Sequence, residues 1–564
     1  MSALGTTASR AARAAARLPR AAKRRLVGRW HRRALKLELA TLERRPLVSV
    51  VMPVYEPRAD FLAAALRSVR RQGYPEWELV AVDDGSRSRA AARVLRRFAR
   101  RDSRIRFERS PSNEGISGAT NRALAMARGE LVALIDQDDL LGPGALLETV
   151  RWLLKHPADD AVYTDQATIG RFGRVQHLFH KPDFSYVYAL GAMYVGHLLT
   201  VRRSVIERLG GFDPAYDGIQ DYEFLLRLVE AGSGIGHVPA IHYFWRAIPG
   251  SVAADPGAKP GLDELQARAV QEHLDRIGCA VEARPRGGHR VRLARRGPAG
   301  RSFSIVIPSR DEGELIERCL DSIHEHPAGA DFEVVVVDGG TVDDRALRAY
   351  ECHRVRLVDG SEGEFNYSRA NNLGVEAATG DLLLLLNNDT EVLGSDWLGD
   401  LESHMRLPGV GAVGPMLVYP DGSVQHAGVA LGMRGTADHL MRGFDPDSDG
   451  LGGSLSCARE VSAVTAAAIC LPRSLYRELG GMNTDYMVQY QDVDLCMRIR
   501  DRGLSVIYSP RPRFVHHESR SRGRAYDQTD RALLLDSWWD EIHAGDRFYN
   551  PALSLERGDY SPRP

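Results

Sequence analysis

Four landmarks occur twice along the 564-residue chain, in the same order and about 255 residues apart. The first is an apolar run with a proline near its end, "LVSVVMPVY" at Pro53 and "SFSIVIPSRDE" at Pro308. The second is an apolar run closing on a carboxylate, "WELVAVDDGS" at Asp83 and "FEVVVVDGGT" at Asp338, and in each copy proline and aspartate are 30 residues apart. The third pairs "ARGELVALIDQDD" with "ATGDLLLLLNNDTEV"; the fourth pairs "LGGFDPAYDGIQDYEFLLRL" with "LGGMNTDYMVQYQDVDLCMRI". One match arises readily by chance, but four in register indicate an internal duplication. A chain of 564 residues is too long for one compact core.

Between the first two landmarks each copy has a segment of helical spacing, "FLAAALRSVRRQ" and "LIERCLDSI". Strand–helix–strand alternation predicts a doubly wound α/β domain, a mostly parallel sheet with helices on both faces. The expected organisation is a basic helical N-terminal arm over residues 1–45, a first α/β domain over 46–255 and a connector over 256–300. A second α/β domain over 301–524 and a C-terminal helix and tail over 525–564 complete it. The connector opens on "DPGAKPG" and continues with a helix from Leu262 to Ile277 and a basic strand-like segment to Arg296.

Composition excludes several classes. The formal net charge is +0, which argues against nucleic acid as a partner. The six cysteines are scattered, so neither a zinc ribbon nor a disulfide framework is indicated, and a reducing, cytoplasmic compartment is expected. No apolar run approaches the ~20 residues of a membrane helix, which disfavours a synthase that extrudes its own polymer. The basic segment containing Arg10, Arg17, Lys23, Arg24 and Arg25 reads either as a solvated tail or as an arm for anionic lipid headgroups. Trp30 favours the second reading, a peripheral contact with the inner face of the plasma membrane.

In an open parallel sheet, ligands bind at the carboxyl ends of the strands. The carboxylates of this chain gather at those ends: Asp83 and Asp84, then Asp136, Asp138 and Asp139. Asp136 and Asp138 form an Asp-x-Asp pair, and on extended backbone i and i+2 project to one side. Two carboxylates so placed repel unless a cation lies between them, and a hard divalent ion, Mg²⁺ or Mn²⁺, is the natural occupant. The alternative, an acidic surface turn, is the better reading for an isolated pair but not for one that follows a buried strand in a duplicated frame. Asp221 and Asp492 open apolar helical patterns, where the helix dipole favours the ionised form and the carboxylate can take a proton from a hydroxyl. A simple N-cap is the competing reading. His242 in the first copy and His516 in the second follow strand-like runs that could return to the metal.

In this order the motifs resemble a tandem pair of family 2 glycosyltransferases of the GT-A fold, of the kind that builds O-antigen, capsular and rhamnose-containing glycans. The resemblance rests on "VSVVMPVYEP", "NEGISGATNRAL", "LVALIDQDD" and "YFWRAIPGS" in the first copy, and on "FNYSRANNLGVEAATGDLLLLLNNDTEV", "GSVQHAGVALG" and "HHESRSRG" in the second. It implies a nucleoside-diphosphate-sugar donor and a lipid-linked or polysaccharide acceptor. It also implies roles. Asp83, Asp84 and Asp338 would contact the nucleotide; Asp136, Asp138, Asp389 and His516, with His242 more weakly, would hold Mn²⁺ or Mg²⁺; Asp221 and Asp492 would be the bases.

Two positions depart from the pattern. Asn387 stands where the first metal carboxylate of the second copy is expected, and Phe244 stands where the first copy would carry its histidine. With a separate base and no covalent nucleophile, direct displacement with inversion is the expected mechanism. The alternatives are one catalytic copy beside one that only grips glycan, and a non-catalytic glycan- or nucleotide-binding scaffold. A nucleotidyltransferase lacks support, since neither copy opens on a Gly-rich pyrophosphate loop.

Overall fold

The computed structural model describes residues 39–247, 261–518 and 528–564. The predicted basic arm lies, as far as residue 38, outside the described residues, as does most of the "DPGAKPG" stretch.

The first sheet is built from β1 (Val48–Val54), β2 (Trp77–Asp83), β3 (Ile105–Arg109), β4 (Leu131–Leu134), β5 (Leu140–Leu141), β6 (Asp159–Ile169), β7 (Val175–Phe179), β8 (Leu199–Arg202) and β9 (Gly234–Arg246). A hairpin, β10 (Val281–Pro285) and β11 (Val291–Arg295), precedes the second sheet. That sheet contains β12 (Phe303–Ser309), β13 (Phe332–Asp338), β14 (Arg356–Asp359), β15 (Leu382–Leu386), β16 (Thr390–Leu393), β17 (Val410–Val418) and β18 (Val424–His426). A small ribbon of β19 (Val429–Leu431) and β20 (Ala437–His439) interrupts it. It is completed by β21 (Arg459–Val461), β22 (Ala468–Pro472) and β23 (Ser505–His516).

The strand orders are β3-β2-β1-β4-β8-β6-β9-β5 and β14-β13-β12-β15-β22-β17-β23-β16. Strand for strand these are the same order, so the duplication read in the sequence is also a duplication of topology. The central strands are parallel: β1 lies between β2 and β4, and β12 between β13 and β15. They are buried on both faces, which explains their near-continuous apolar runs, "VSVVMPV" and "LLLLL". The 30-residue spacing of proline and aspartate is one crossover, and it sets Pro53 opposite Val82 and Pro308 opposite Val337, one register step before Asp83 and Asp338.

Compactness divides the chain into two units. One comprises residues 39–177, 197–214 and 233–246; the other comprises 178–196, 215–232 and the described residues from 247 onward. The first has a core of Val50, Leu79, Ala133, Leu146 and Tyr243 around its sheet. In the second, Tyr222 and Leu226 of the helix Gln220–Glu230 share one core with Val270 and Leu274 of the connector helix Leu262–Arg276 and with Ile305 of β12. The helix that carries Asp221 therefore belongs by compactness to the second unit. Among the described residues no helix is long and apolar enough to cross a membrane.

Candidate active site

The second copy brings Asp389 and His516 together and links Asp492 to them within one unit. β15 ends at Leu386, and Asn387, Asn388 and Asp389 form the turn into β16. β16 pairs antiparallel with the end of β23 in a register that sets Thr390 opposite His516. That pairing closes the turn onto the histidine: His516 Nε2 lies 3.2 Å from Asp389 Oδ1 and 3.3 Å from Asn387 Nδ2.

The tautomer of His516 follows from its other nitrogen, which lies 2.6 Å from Gln425 Oε1. An amide oxygen only accepts, so Nδ1 carries the proton and Nε2 presents a lone pair to the Asp389–Asn387 corner. Two acceptors, Nε2 and Oδ1, at 3.2 Å repel unless a proton or a cation joins them. Neighbouring ligands of an octahedral ion with bonds of about 2.1 Å are about 3 Å apart, so these side chains fit Mg²⁺ or Mn²⁺. Among the described residues there is no group of three or more His, Cys, Asp or Glu that could hold a metal. The corner offers two such residues with one amide, leaving room for ligands from a substrate.

Asp492, second residue of the helix Gln491–Asp501, is linked to this corner. Its Oδ2 accepts from the N–H of Ala466 at 3.1 Å. The Ala466 carbonyl lies 2.9 Å from the hydroxyl of Tyr367, which is itself 2.9 Å from Asn387 Oδ1. Desolvation raises the Asp492 pKa, opposed by the backbone N–H groups of Ala466 and Val493. Asp338 closes β13, with Oδ1 accepting from the N–H of Thr341 at 3.0 Å.

The loop leading to Asp492 is held from several sides. Asn372 clasps Met482, Asn366 donates to the carbonyls of Thr484 and Tyr486, and buried Asp530 accepts from the N–H groups of Met487, Val488 and Gln489. Arg498, on the base helix, pairs with Asp494 and donates to the carbonyls of Leu479 and Gly481. Arg227 pairs in the same i,i+4 manner with Glu223. The arginine six residues after each candidate base thus anchors its own helix. Gln425, Tyr367 and Asp530 carry no role in the sequence reading. Only Gln425 left a signal, the polar interruption of the apolar "GSVQHAGVALG".

In the first copy Asp83 closes β2, buried, with Arg109 Nε 3.6 Å from its Oδ2, and buried Asp84 accepts from the N–H of Glu114. Asp136 and Asp138 follow β4. Burial first, then the charge of Asp136, raises the Asp138 pKa to about 6. The Asp139 pKa is also raised, by burial and by the charges of Asp136 and Asp138, while its carboxylate accepts from Tyr243 Oη and the N–H of Arg246. The histidine beside this turn is His197, whose Nε2 lies 3.5 Å from Asp136 Oδ2. It precedes β8, antiparallel neighbour of β4, a pairing that sequence alone does not disclose. His242 lies against Gly142 and Gly144, where an added Cβ would come within 3.3 Å of its ring, and burial lowers its pKa to about 4. Register sets Phe244 opposite Leu140. Asp136 and Asp138 belong to the first unit and Asp221 to the second. Asp221 is half-buried at the start of its helix, with Oδ1 accepting from the N–H of Tyr222.

Sequence comparison shows the same duplication. The profile described as glycosyl transferase family 2 matches residues 49–210 and again residues 304–453. A Sinorhizobium fredii protein, y4gI, is 36% identical over 558 residues, covering 94% of this chain and 61% of that protein. The O-antigen biosynthesis protein RfbC of Myxococcus xanthus is 37% identical over 535 residues, covering 92% of this chain and 41% of that protein. The chain therefore spans less than two thirds of the length of either relative. Among solved structures, S. aureus TarS 1-349 is similar at 18% identity and a TM-score of 0.31, covering 41% of this chain and 72% of that one. With the family's profile matching both copies and more than half of its length, the chain belongs to glycosyl transferase family 2 as a tandem pair of GT-A domains.

Proposed function

We propose that the chain transfers sugars from nucleoside-diphosphate-sugar donors to hydroxyl groups of a growing bacterial surface glycan, with inversion and with Mn²⁺ or Mg²⁺ on the donor diphosphate. The observation that carries this is the corner of Asp389, His516 and Asn387, joined to Asp492 through Tyr367 and the Ala466 peptide. Asp389 and His516 would hold the cation, with the Asn387 amide beside them. A bound cation neutralises charge that develops on the leaving diphosphate. Asp338, at the end of β13, would contact the nucleotide.

The protein's own step is proton acceptance. As the acceptor oxygen bonds to the sugar's anomeric carbon, the bond from that carbon to the diphosphate breaks, and the hydroxyl proton passes to the Asp492 carboxylate. Its neighbours Ala466 N–H and Val493 N–H aim the carboxylate and keep it available as the anion. Attack opposite the leaving group inverts the anomeric centre. The acceptor reading, a lipid-linked or polysaccharide glycan, leans on the family and on the relative named for O-antigen biosynthesis. It places the chain at the cytoplasmic face of the membrane, with the basic residues up to 45 attracted to anionic lipids.

For the first copy the corresponding roles fall to Asp83 and Asp84 for the nucleotide, Asp136 and Asp138 for the cation, with His197 rather than His242 as the imidazole beside Asp136, and Asp221 for the proton. A second reading, in which this copy only grips glycan, is favoured by Phe244 in β9, where the resemblance leads one to expect a histidine. The test is a screen of nucleotide-sugars with Mn²⁺. Transfer should appear with one donor and vanish in excess chelator, and full turnover in chelator refutes the cation's role.

A further inference from the structure

The second unit contains an open cleft lined by Arg286, Arg292, Arg511 and Arg513. Two carboxylates, Asp400 and Asp447, also line it. Arg292 reaches Asp400 at 2.8 Å and Arg513 reaches Asp447 at 2.8 Å, while Arg286 donates to the Ser456 carbonyl. Asp447 is 78% exposed, so water screens its charge. Four guanidiniums against two carboxylates leave the lining with two uncompensated positive charges.

The guanidinium of Arg511 makes no hydrogen bond among the described residues, and buried Arg292 Nε also has none. The backbone explains why Arg511 stands in the cleft. β23 follows β17 in parallel register to Ser509, and the pairing resumes only at Arg513, although β17 has advanced by a single residue from Pro415 to Met416. The extra residues leave the ladder, as bulges do where a side chain is re-aimed. Arg511 is exposed to solvent in the cleft, and partial desolvation with the neighbouring Arg292 depresses its pKa, with Arg513 and Arg286 adding and Asp400 opposing. Like charges gathered around a cleft are stabilised by an anion that takes hydrogen bonds from several of them.

We infer that this cleft binds a phosphoryl group, a dianion whose oxygens accept from Arg511 and its three neighbours. It is not the donor diphosphate site. Arg511 and Arg513 precede His516 by five and three residues on β23, about 10–16 Å along a strand. The inference is independent of the transfer reaction, because phosphate binding here needs neither the cation nor Asp492. The phosphoryl group could be free in solution or carried by a polyprenyl lipid.

The test is calorimetric titration of the full chain, at low salt and in EDTA, with inorganic phosphate and in parallel with a water-soluble short-chain isoprenyl phosphate. Saturable binding is expected, weakened at least tenfold by Arg511→Gln and largely restored by Arg511→Lys. Arg286→Gln serves as a second variant and should weaken it too, whereas Asp389→Asn should leave it unchanged. Tighter binding of the isoprenyl phosphate identifies a lipid-borne ligand, and equal binding a free one; either supports the site. Absence of saturable binding by both compounds, or affinity unchanged in both arginine variants, overturns it.

Discussion

Asn372 holds both backbone groups of Met482: its Nδ2 donates to the Met482 carbonyl at 2.9 Å, and its Oδ1 accepts from the Met482 N–H at 2.9 Å. In the first copy Asn121 holds Phe212 in the same way, at 2.7 and 2.8 Å. In both copies the glycine just before the clasped residue leaves no room for a side chain. A Cβ at Gly481 or Gly211 would fall 2.5 Å from the asparagine Oδ1, and both glycines have φ of +77°. The double glycine and the asparagine form one device that fixes the start of the path to each candidate base.

This device gives the first prediction. Asn372→Ala removes three hydrogen bonds, the two to Met482 and the one its Oδ1 accepts from Tyr476 Oη, and leaves the Met482 carbonyl without its side-chain donor, at a cost of about 1–3 kcal/mol. Thermal unfolding of the variant should show the transition of the second unit lowered. Asn121→Ala should act in the same direction on the first. An unchanged melting profile for both would show the clasp to be dispensable.

Gln425 should tune metal affinity through His516. Its Oε1 fixes the proton on Nδ1 at 2.6 Å. Loss of such a partner behind a metal-bound histidine typically costs 10–100-fold in affinity. Gln425→Ala should therefore weaken Mn²⁺ binding by that factor, read directly by electron paramagnetic resonance of free Mn²⁺, while Gln425→Glu, which still accepts the proton's hydrogen bond, should recover most of it. Equal affinities across the three proteins would remove Gln425 from the account.

Asp492 should set the acid limb of the rate. Burial raises its pKa, and a base works only when ionised. As pH falls through that raised value the carboxylate takes up its proton, and kcat/KM should fall at a pH above the range of an ordinary exposed aspartate. The same shift bears on stability with the opposite sense: a carboxyl whose folded pKa is raised favours folding at low pH and loses that contribution as pH rises through the folded value. An acid limb at or below ordinary aspartate values contradicts the assignment.

The two copies should also be separable. Asp221→Asn should abolish one transfer while a pre-extended acceptor is still elongated, and Asp492→Asn should do the reverse. Mass analysis of products over an acceptor panel reads both. If Asp221→Asn changes nothing, the first copy only grips glycan; if either variant removes every transfer, the sites are not independent.

Much of this was legible in the sequence, for identifiable reasons. The parallel strands announce themselves because burial on both faces demands continuous apolar runs. The carboxylates stand out because they end those runs. Asp389 and His516 meet, though 127 residues apart in sequence, because the short strand after the one and the long strand before the other pair antiparallel. What sequence hides is contact made across antiparallel neighbours and by late segments. His197 reaches Asp136 only because β8 runs against β4, and Asp530 caps the loop before Asp492 from a helix beyond the second copy. Hidden too is the division of the helix Gln220–Glu230 from the sheet whose repeat contains it, since compactness follows burial and not the order of the duplication.

The central claim is that Asp389, His516 and Asp492 form a working metal-dependent transferase site. Its most direct test is release of nucleoside diphosphate from a screened sugar donor in the presence of acceptor and Mn²⁺, comparing the unaltered chain with Asp492→Asn. With Asp221→Asn as background, the second site alone should turn over, stop in chelator, and lose about 10²–10⁴-fold in rate on adding Asp492→Asn while still binding Mn²⁺. Turnover that survives both chelator and Asp492→Asn in that background would contradict the claim.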